Sequence, residues 1–319
     1  MTPLAAGSVG LGLYLHDLPP GPATHRLVAQ AVAAEQAGFD GVSVAEHHAG
    51  FPGYLPNPVL AATWMLEATR RLWCGPMPLL LPLRSPALVA EDLAWLDARF
   101  PGRVAAGFAP GYHADDFAAV GAGGFEERGR LYGERLTQVA STLRGEATGP
   151  AGRDRAVVAR GGVPVPLVSA AGSPGAARRA ARAGVGLLLD SMARADDLAR
   201  VVAAYEGAGG TGPCILGRRV WVGDPPLHLF EAQLAAYRSK ADAASWMQQA
   251  SADLLIGGAA DEVVDRVVEA AKAAHATALA LRVHLPGLDP DVADDQIRRV
   301  GAQVVPAVRA ALSAHVEEP

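Results

Sequence analysis

Short apolar runs alternate along the chain with longer amphipathic stretches. VGLGLYL (9–15), GVSVAEHH (41–48), LWCGPMPLLL (72–81) and RVAAGFAP (103–110) read as strands, as do PVPLVSA (164–170), VGLLLD (185–190), CILGRRVWVG (214–223) and ALALRVHLP (278–286). Between them, apolar positions recur at helical spacing from near Thr24 to Ala37, after Asn57-Pro58, from about Ser85 to Asp97, over about 126–143 and over 174–183. Further helices are expected near 195–206, over 227–250 and 260–274, and from about 290 to 311. Strand–helix alternation implies parallel strands joined by right-handed crossovers. Strands covered on both faces should be almost continuously apolar, as PLLL, VGLLLD and ALALRV are. Eight such units in 319 residues predict an α/β fold, a single (β/α)8 TIM barrel over residues 1–319 with loop insertions, rather than an open doubly wound sheet. No strand leads into a G-x-G-x-x-G or G-x-x-x-x-G-K-[ST] phosphate loop.

Composition sharpens this picture in one respect. Half of the residues are apolar and only 19% charged, which excludes a disordered chain, and the 36 Gly and 24 Pro follow no collagen period. They gather at strand ends and helix starts, such as Pro76 and Pro78, Pro110-Gly111 and Pro286-Gly287, so they punctuate one barrel instead of linking two domains. The net charge of −5 offers no basic surface for nucleic acid or a membrane. Two cysteines, Cys74 and Cys214, make neither a disulfide framework nor a cysteine metal site. The first arginine is Arg26, so no basic leader opens the chain, and no run approaches the ~20 apolar residues of a membrane span. A cytoplasmic protein is expected.

In barrels of this kind the reacting groups stand at the C-terminal ends of the strands. Five strand ends carry polar or unusual residues: His16-Asp17, Glu46-His47-His48, Met77-Pro78, Ala109-Pro110-Gly111, and Ser169 to Ser173. Three ionisable groups at 46–48 are costly to pack. Adjacent strand residues point to opposite faces, so His47 and His48 cannot share one metal ion inside the barrel. The triplet is then either a paired-histidine loop end or one inward histidine acting on a ligand. In GSPGAARRAARAG (172–184), Ser173 and Pro174 mark a helix start. Its free N–H groups are either an ordinary cap or a phosphate cradle. Arg128 and Arg130 are candidate partners for such an anion, or members of a solvated helix end. Proline at 78, inside a strand, implies a bulge or a cis bond.

The segments AEHHAGFPGYLPNPVLAA and LLLPLRSPALVAEDLAWLDARFPGRVAAGFAPGYHADDFAAVG, followed by SAAGSPGAARRAARAGVGLLLD, LLIGGAADEVVDRV and LRVHLPG, resemble the bacterial-luciferase-like flavin-dependent monooxygenases. The resemblance runs over nearly the whole chain in the family's order. It implies a luciferase-like TIM barrel that binds reduced FMN, supplied by a separate flavin reductase, and reacts it with O2. A flavin 4a-hydroperoxide would then oxygenate a small organic substrate. By motif position, His47 matches the family's catalytic histidine, with Glu46 and His48 around it. The FMN phosphate would lie on Ser173 and the backbone of Gly172 and Gly175, helped by Arg128, with Ala109 and Ser169 lining the site. Met77-Pro78 falls where the family carries a bulge with a cis peptide under the flavin ring. Where the luciferase α subunit has a cysteine and then a phosphate-binding arginine, this chain has Ala109-Pro110, which implies weaker or altered FMN binding.

His16 and His113 are candidate substrate contacts, and no metal is expected. The stretch around 207–230 is either a lid or the seventh strand with its connections. Trp64 and Met65 are either dimer contacts of the expected homodimer or part of the monomer's core. Relatives sharing the fold use a deazaflavin for hydride transfer, or bind flavin without catalysis, and both alternatives stand beside the oxygenase.

Overall fold

The computed structural model describes residues 2–163, 165–240 and 254–317. Its strands are β1 Val9–Leu13, β2 Gly41–Val44, β3 Trp73–Pro76, β4 Leu79–Leu80, β5 Ala106–Ala109, β6 Leu167–Ala171, β7 Gly186–Leu189, β8 Cys214–Val222, β9 Leu255–Gly258 and β10 Ala278–Arg282. The helices are α1 Pro20–Gln36, α2 Pro58–Ala68, α3 Pro86–Arg99, α4 Ala114–Ala119, α5 Arg128–Leu143, α6 Arg155–Ala159, α7 Pro174–Ala183, α8 Ala195–Glu206, α9 Leu227–Lys240, α10 Ala260–Ala273, α11 Pro290–Gln303 and α12 Val305–Glu317.

Every pairing between these strands is parallel, in the order β3-β2-β1-β10-β8-β7-β6-β5-β4. The third stave is split. β3 pairs with β2, β4 pairs with β5, and the cis Met77-Pro78 peptide lies between them. The ring closes below that break, where the Cys74 amide donates to Arg103 O at 2.8 Å and Cys74 bridges Val104. The TIM barrel read from the alternating pattern is therefore present, with its eight staves in chain order.

Period-two alternation sorts each stave's side chains. On β10, Leu279 and Leu281 join the layer shared with the helices, whereas Ala278 and Ala280 fill the barrel interior. On β2, Val42 and Val44 face outward and position 41 faces in. Trp73 occupies the lower interior beside Leu4 and Val168, and a Cβ on Gly41 would stand 2.0 Å from its indole. Glycine at 41 is what lets that ring plug the barrel's lower end. Above this plug the barrel opens into the cavity at its C-terminal mouth.

Four elements depart from the sequence reading, one of them α6, a short helix between α5 and β6. β9 was absent from it; the strand pairs with the upper half of β8, from Arg219↔Leu255 to Val222↔Gly258, outside the barrel ring. α4 is a short extra helix between β5 and α5. The helix expected over 290–311 is two, α11 and α12, meeting at Val304. The helix expected over 227–250 is seen as α9 to Lys240, and 241–250 lies outside the described residues. The lid reading of 207–230 gives way to the strand reading, because Cys214–Val222 is a strand buried along all nine residues. Met65 belongs to the core, and Trp64 packs against it. Among the described residues no helix is long and apolar enough to cross a membrane.

Candidate active site

A cavity of about 350 Å³ opens at the C-terminal mouth, within the usual span of small-molecule and cofactor sites. His47 stands on one wall. Positions 41, 43, 45 and 47 continue the inward face of β2, so Glu46 and His48 point to the other side. The chain past β2 is stitched down by the Glu46 amide to Pro78 O at 3.0 Å and by the His47 amide to Leu55 O at 3.3 Å. His47 Nδ1 lies 2.8 Å from Asp116 Oδ2, and the His48 amide donates to Asp116 Oδ1 at 2.7 Å.

Asp116 comes from α4, which Gly111 and His113 set in place. Gly111 has φ +78°, and His113 Nδ1 caps the helix by accepting from the Asp115 amide at 3.1 Å. Burial alone would push the Asp116 carboxyl up, but the hydrogen bonds from His47 and the His48 amide outweigh it and hold it below the ordinary carboxylate range. An ionised Asp116 accepts from Nδ1–H of His47, which fixes the tautomer and leaves Nε2 as the nitrogen free for proton exchange. The imidazole is stacked on Phe51 with centroids 4.2 Å apart and meets Tyr54 edge-on at 4.6 Å.

Glu46 has a different job. Its carboxylate, 1% exposed, accepts from the Leu80 amide at 2.6 Å and from Arg84 Nη2 at 2.6 Å and Nε at 3.1 Å, and lies 3.0 Å from His48 Nε2. It locks the end of β2 to the split third stave. His48 is part of that clamp rather than a second group facing a ligand.

The remaining candidates fall into two sets. Pro78, Ala109 and Gly172 line the cavity, and Met77 lies under its floor in the barrel interior. Ser173 and Gly175 open α7 at the rim, where the Ser173 hydroxyl accepts from the Ala176 amide at 3.3 Å. The structure does not bring the others to the cavity. Ser169 faces outward and shares a 2.6 Å hydrogen bond with Tyr132 of α5. Arg128 packs over the Phe125 ring at 4.0 Å and donates to Phe125 O, while Arg130 pairs with Glu127 and Glu134 in solvent. His16 is buried behind the wall, bonded to Gln30 and edge-on to His284, and His113 is used as the cap of α4. No cluster of His, Cys, Asp or Glu among the described residues is arranged to hold a metal.

Several cavity residues had escaped the sequence reading. Tyr54 and Tyr237 share a 2.8 Å hydrogen bond, and burial raises both phenols, so they remain neutral donors. Arg179 of α7, Arg219 within β8 and Arg282 at the end of β10 also line the cavity. So does Asp190, whose carboxyl burial pushes up to about 7 against the pull of its backbone bond from Met192 and of nearby arginines.

A parallel eight-stave barrel with an oriented histidine and a glycine-flanked helix start around one cavity defines a TIM-barrel protein with a candidate small-molecule site at its C-terminal mouth. The sequence signature of the luciferase-like monooxygenases matches residues 12–277, and the chain belongs to that family. The alkanal monooxygenase alpha chain of Photorhabdus laumondii is 38% identical over 96 residues, covering 30% of this chain and 27% of that protein. The F420-dependent glucose-6-phosphate dehydrogenase of Beutenbergia cavernae is 35% identical over 181 residues, covering 52% of each. These matches thus span between a quarter and about half of the relatives' length. The FMN-bound oxygenating constituent of 3,6-diketocamphane monooxygenase from Pseudomonas putida has the same fold, with a TM-score of 0.75 over 94% of this chain and 98% of that one at 18% identity.

Proposed function

We propose that the protein is a flavin-dependent monooxygenase that takes reduced FMN from a separate reductase and oxygenates a small organic substrate with O2. The observation that carries this reading is the pairing, across one cavity, of an oriented histidine with an open helix start and an unpaired cation. α7 begins at the rim with Gly172 and Gly175, and Arg179, one turn further on, lines the cavity without an ion pair among the described residues. Backbone N–H groups and a guanidinium in that relation suit a phosphate. Arg179 thereby supplies a cation on the side where Pro110 stands in place of the family's arginine.

Reduced FMN, when bound, supplies the electrons for oxygen activation. The chain's own work is positioning, shielding and proton handling. His47 Nε2 takes or returns a proton, with the imidazolium steadied by Asp116. Phe51, Tyr54 and Tyr112 enclose that nitrogen's ring and keep water from it. A homodimer is part of this reading: α2 leaves Leu60 exposed, and α3 leaves Leu88 and Trp95 exposed.

The test is oxygen uptake with a flavin reductase regenerating reduced FMN, together with quenching of FMN fluorescence on binding. Tight FMN binding with substrate-dependent product carrying one atom of O2 is expected. No binding of FMN in either redox state would overturn the proposal. One observation favours a second reading. A further cavity of about 240 Å³ between α7 and α8 adjoins the first at Gly172 and Met192 and carries Arg194 and Arg200, room for the longer anionic tail of a deazaflavin. Anaerobic hydride transfer with reduced deazaflavin, absent with FMN, would select it.

A further inference from the structure

Arg219 and Arg282 are register partners on the adjacent parallel strands β8 and β10. Partners of this kind sit one strand spacing apart, ~4.8 Å, with side chains on the same face. Here that face is the cavity. Two like charges set directly opposite one another on a sheet destabilise it, and burial makes the repulsion worse.

Neither charge has an ion-pair partner among the described residues, although Asp190 acts on both from a distance. Arg219 is 2% exposed; its Nε donates to Gln233 Oε1 at 3.1 Å and its Nη1 approaches Met192 Sδ at 3.1 Å, neither of them an anion. Arg282 reaches only the Ser191 hydroxyl at 3.4 Å, lies over the Tyr14 ring at 5.5 Å, and leaves its buried Nε without a hydrogen-bond partner. Among the described residues neither guanidinium has a carboxylate within ion-pair distance. The nearby carboxyl, Asp190, is itself pushed toward neutrality by burial and accepts from the Met192 amide. Around this pair the lining is apolar or aromatic, with Leu188, Met192, Tyr54 and Tyr237.

We propose that Arg219 and Arg282 together bind the carboxylate of an organic acid, so that the substrate is an organic anion with an apolar body. A carboxylate placed between the two guanidiniums relieves their repulsion and fills the orphaned donor of Arg282, while the body lies among the tyrosines. This substrate class rests on the flavin-enzyme reading, but the arginine pair is distinct from Arg179 and from the α7 rim assigned to the cofactor's phosphate.

Binding of octanoate and phenylacetate is measured by titration calorimetry, against their neutral amides octanamide and phenylacetamide, with and without FMN. The acids bind the unsubstituted protein roughly tenfold or more tightly than the amides, as charge-assisted bonds require. Arg219→Gln and Arg282→Gln each erase most of that preference while leaving amide and FMN affinity within roughly twofold. Arg179→Gln does the reverse, weakening FMN and sparing the acids. Equal binding of acids and amides by the unsubstituted protein overturns the proposal without any variant, which keeps it decidable where an arginine variant misfolds. Loss of FMN affinity in Arg219→Gln and Arg282→Gln to the same degree as acid affinity also overturns it, since the pair would then serve the cofactor. FMN binding without acid preference defeats this inference alone; arginine-dependent acid preference without FMN binding defeats only the flavin reading.

Discussion

The two sides of the barrel mouth satisfy their charges by opposite means. On the β2 side, each ionisable group has a protein partner: His47 has Asp116, Glu46 has Arg84 and the Leu80 amide, and His48 has Glu46. On the β8–β10 side, Arg219 and Arg282 face each other with no carboxylate between them. A group completed by protein is held still in advance, as a proton-handling residue must be. A charge left incomplete keeps its interaction energy for whatever enters. The contrast separates the part of the mouth whose charges are paired on folding from the part where, on the proposal above, a ligand completes them.

The largest expected effect breaks the finished side. Glu46→Ala strands Arg84 and the Leu80 amide, and removing one member of a buried ion pair costs about 3–5 kcal/mol; chemical denaturation should register that loss, and a variant as stable as the parent would remove the clamp from the account. Next, His47→Ala should lower turnover with reduced flavin by roughly 10²–10⁴-fold, with a smaller loss of stability because the buried Asp116 carboxylate is left without its imidazole partner. Unchanged turnover in a folded His47→Ala protein sinks the proton-handling role.

On the side that awaits a ligand, losses should appear in binding rather than in folding. Arg179→Gln should raise the FMN dissociation constant roughly tenfold, the worth of one charge-assisted hydrogen bond, with stability held or improved. A matching fall in stability would show that Arg179 was structural after all.

The effect expected to be smallest near neutral pH links the two sides through acid titration. Burial, with His16 and Arg219 nearby, drags the His284 imidazole down to about 3. Between its ordinary range near 6.5 and that value, the unfolded chain takes up a proton that the native state refuses. Stability therefore falls as pH drops through this window. His284→Phe should make the acid limb of a stability–pH curve shallower, and an identical curve would argue against a neutral buried imidazole.

Sequence pattern carried the architecture because strand cores such as VGLLLD are buried on both faces and announce themselves as apolar runs. It missed β9, a four-residue LIGG segment that pairs only with the overhang of β8. At the site, His47 was legible because polar residues crowd one strand end. Its partner Asp116 was not, since ADDFAA lies 69 residues away and resembles any solvated acidic turn. Arg179 was hidden in ARRAARAG, whose arginines read as a solvent-facing helix stripe. The cationic pair escaped for a related reason: Arg218 and Arg219 are adjacent, and only register tells which one turns inward. The structure gives Arg218 to outer carbonyls such as Ala193 O at 3.0 Å, and Arg219 to the cavity.

β8 itself serves two structures in succession. Its lower residues seal the ring between β7 and β10, Arg219 is paired with both β10 and β9, and beyond it the strand pairs with β9 alone. The chain that leaves β8 and returns as β9 is thus a detour beginning and ending on one rim of the mouth. Exchanges on α9, whose Tyr237 lines the cavity, would change that lining without disturbing the register of a single barrel stave. The lining on that side can thus vary while the β2 side of the mouth keeps its own set of protein partners.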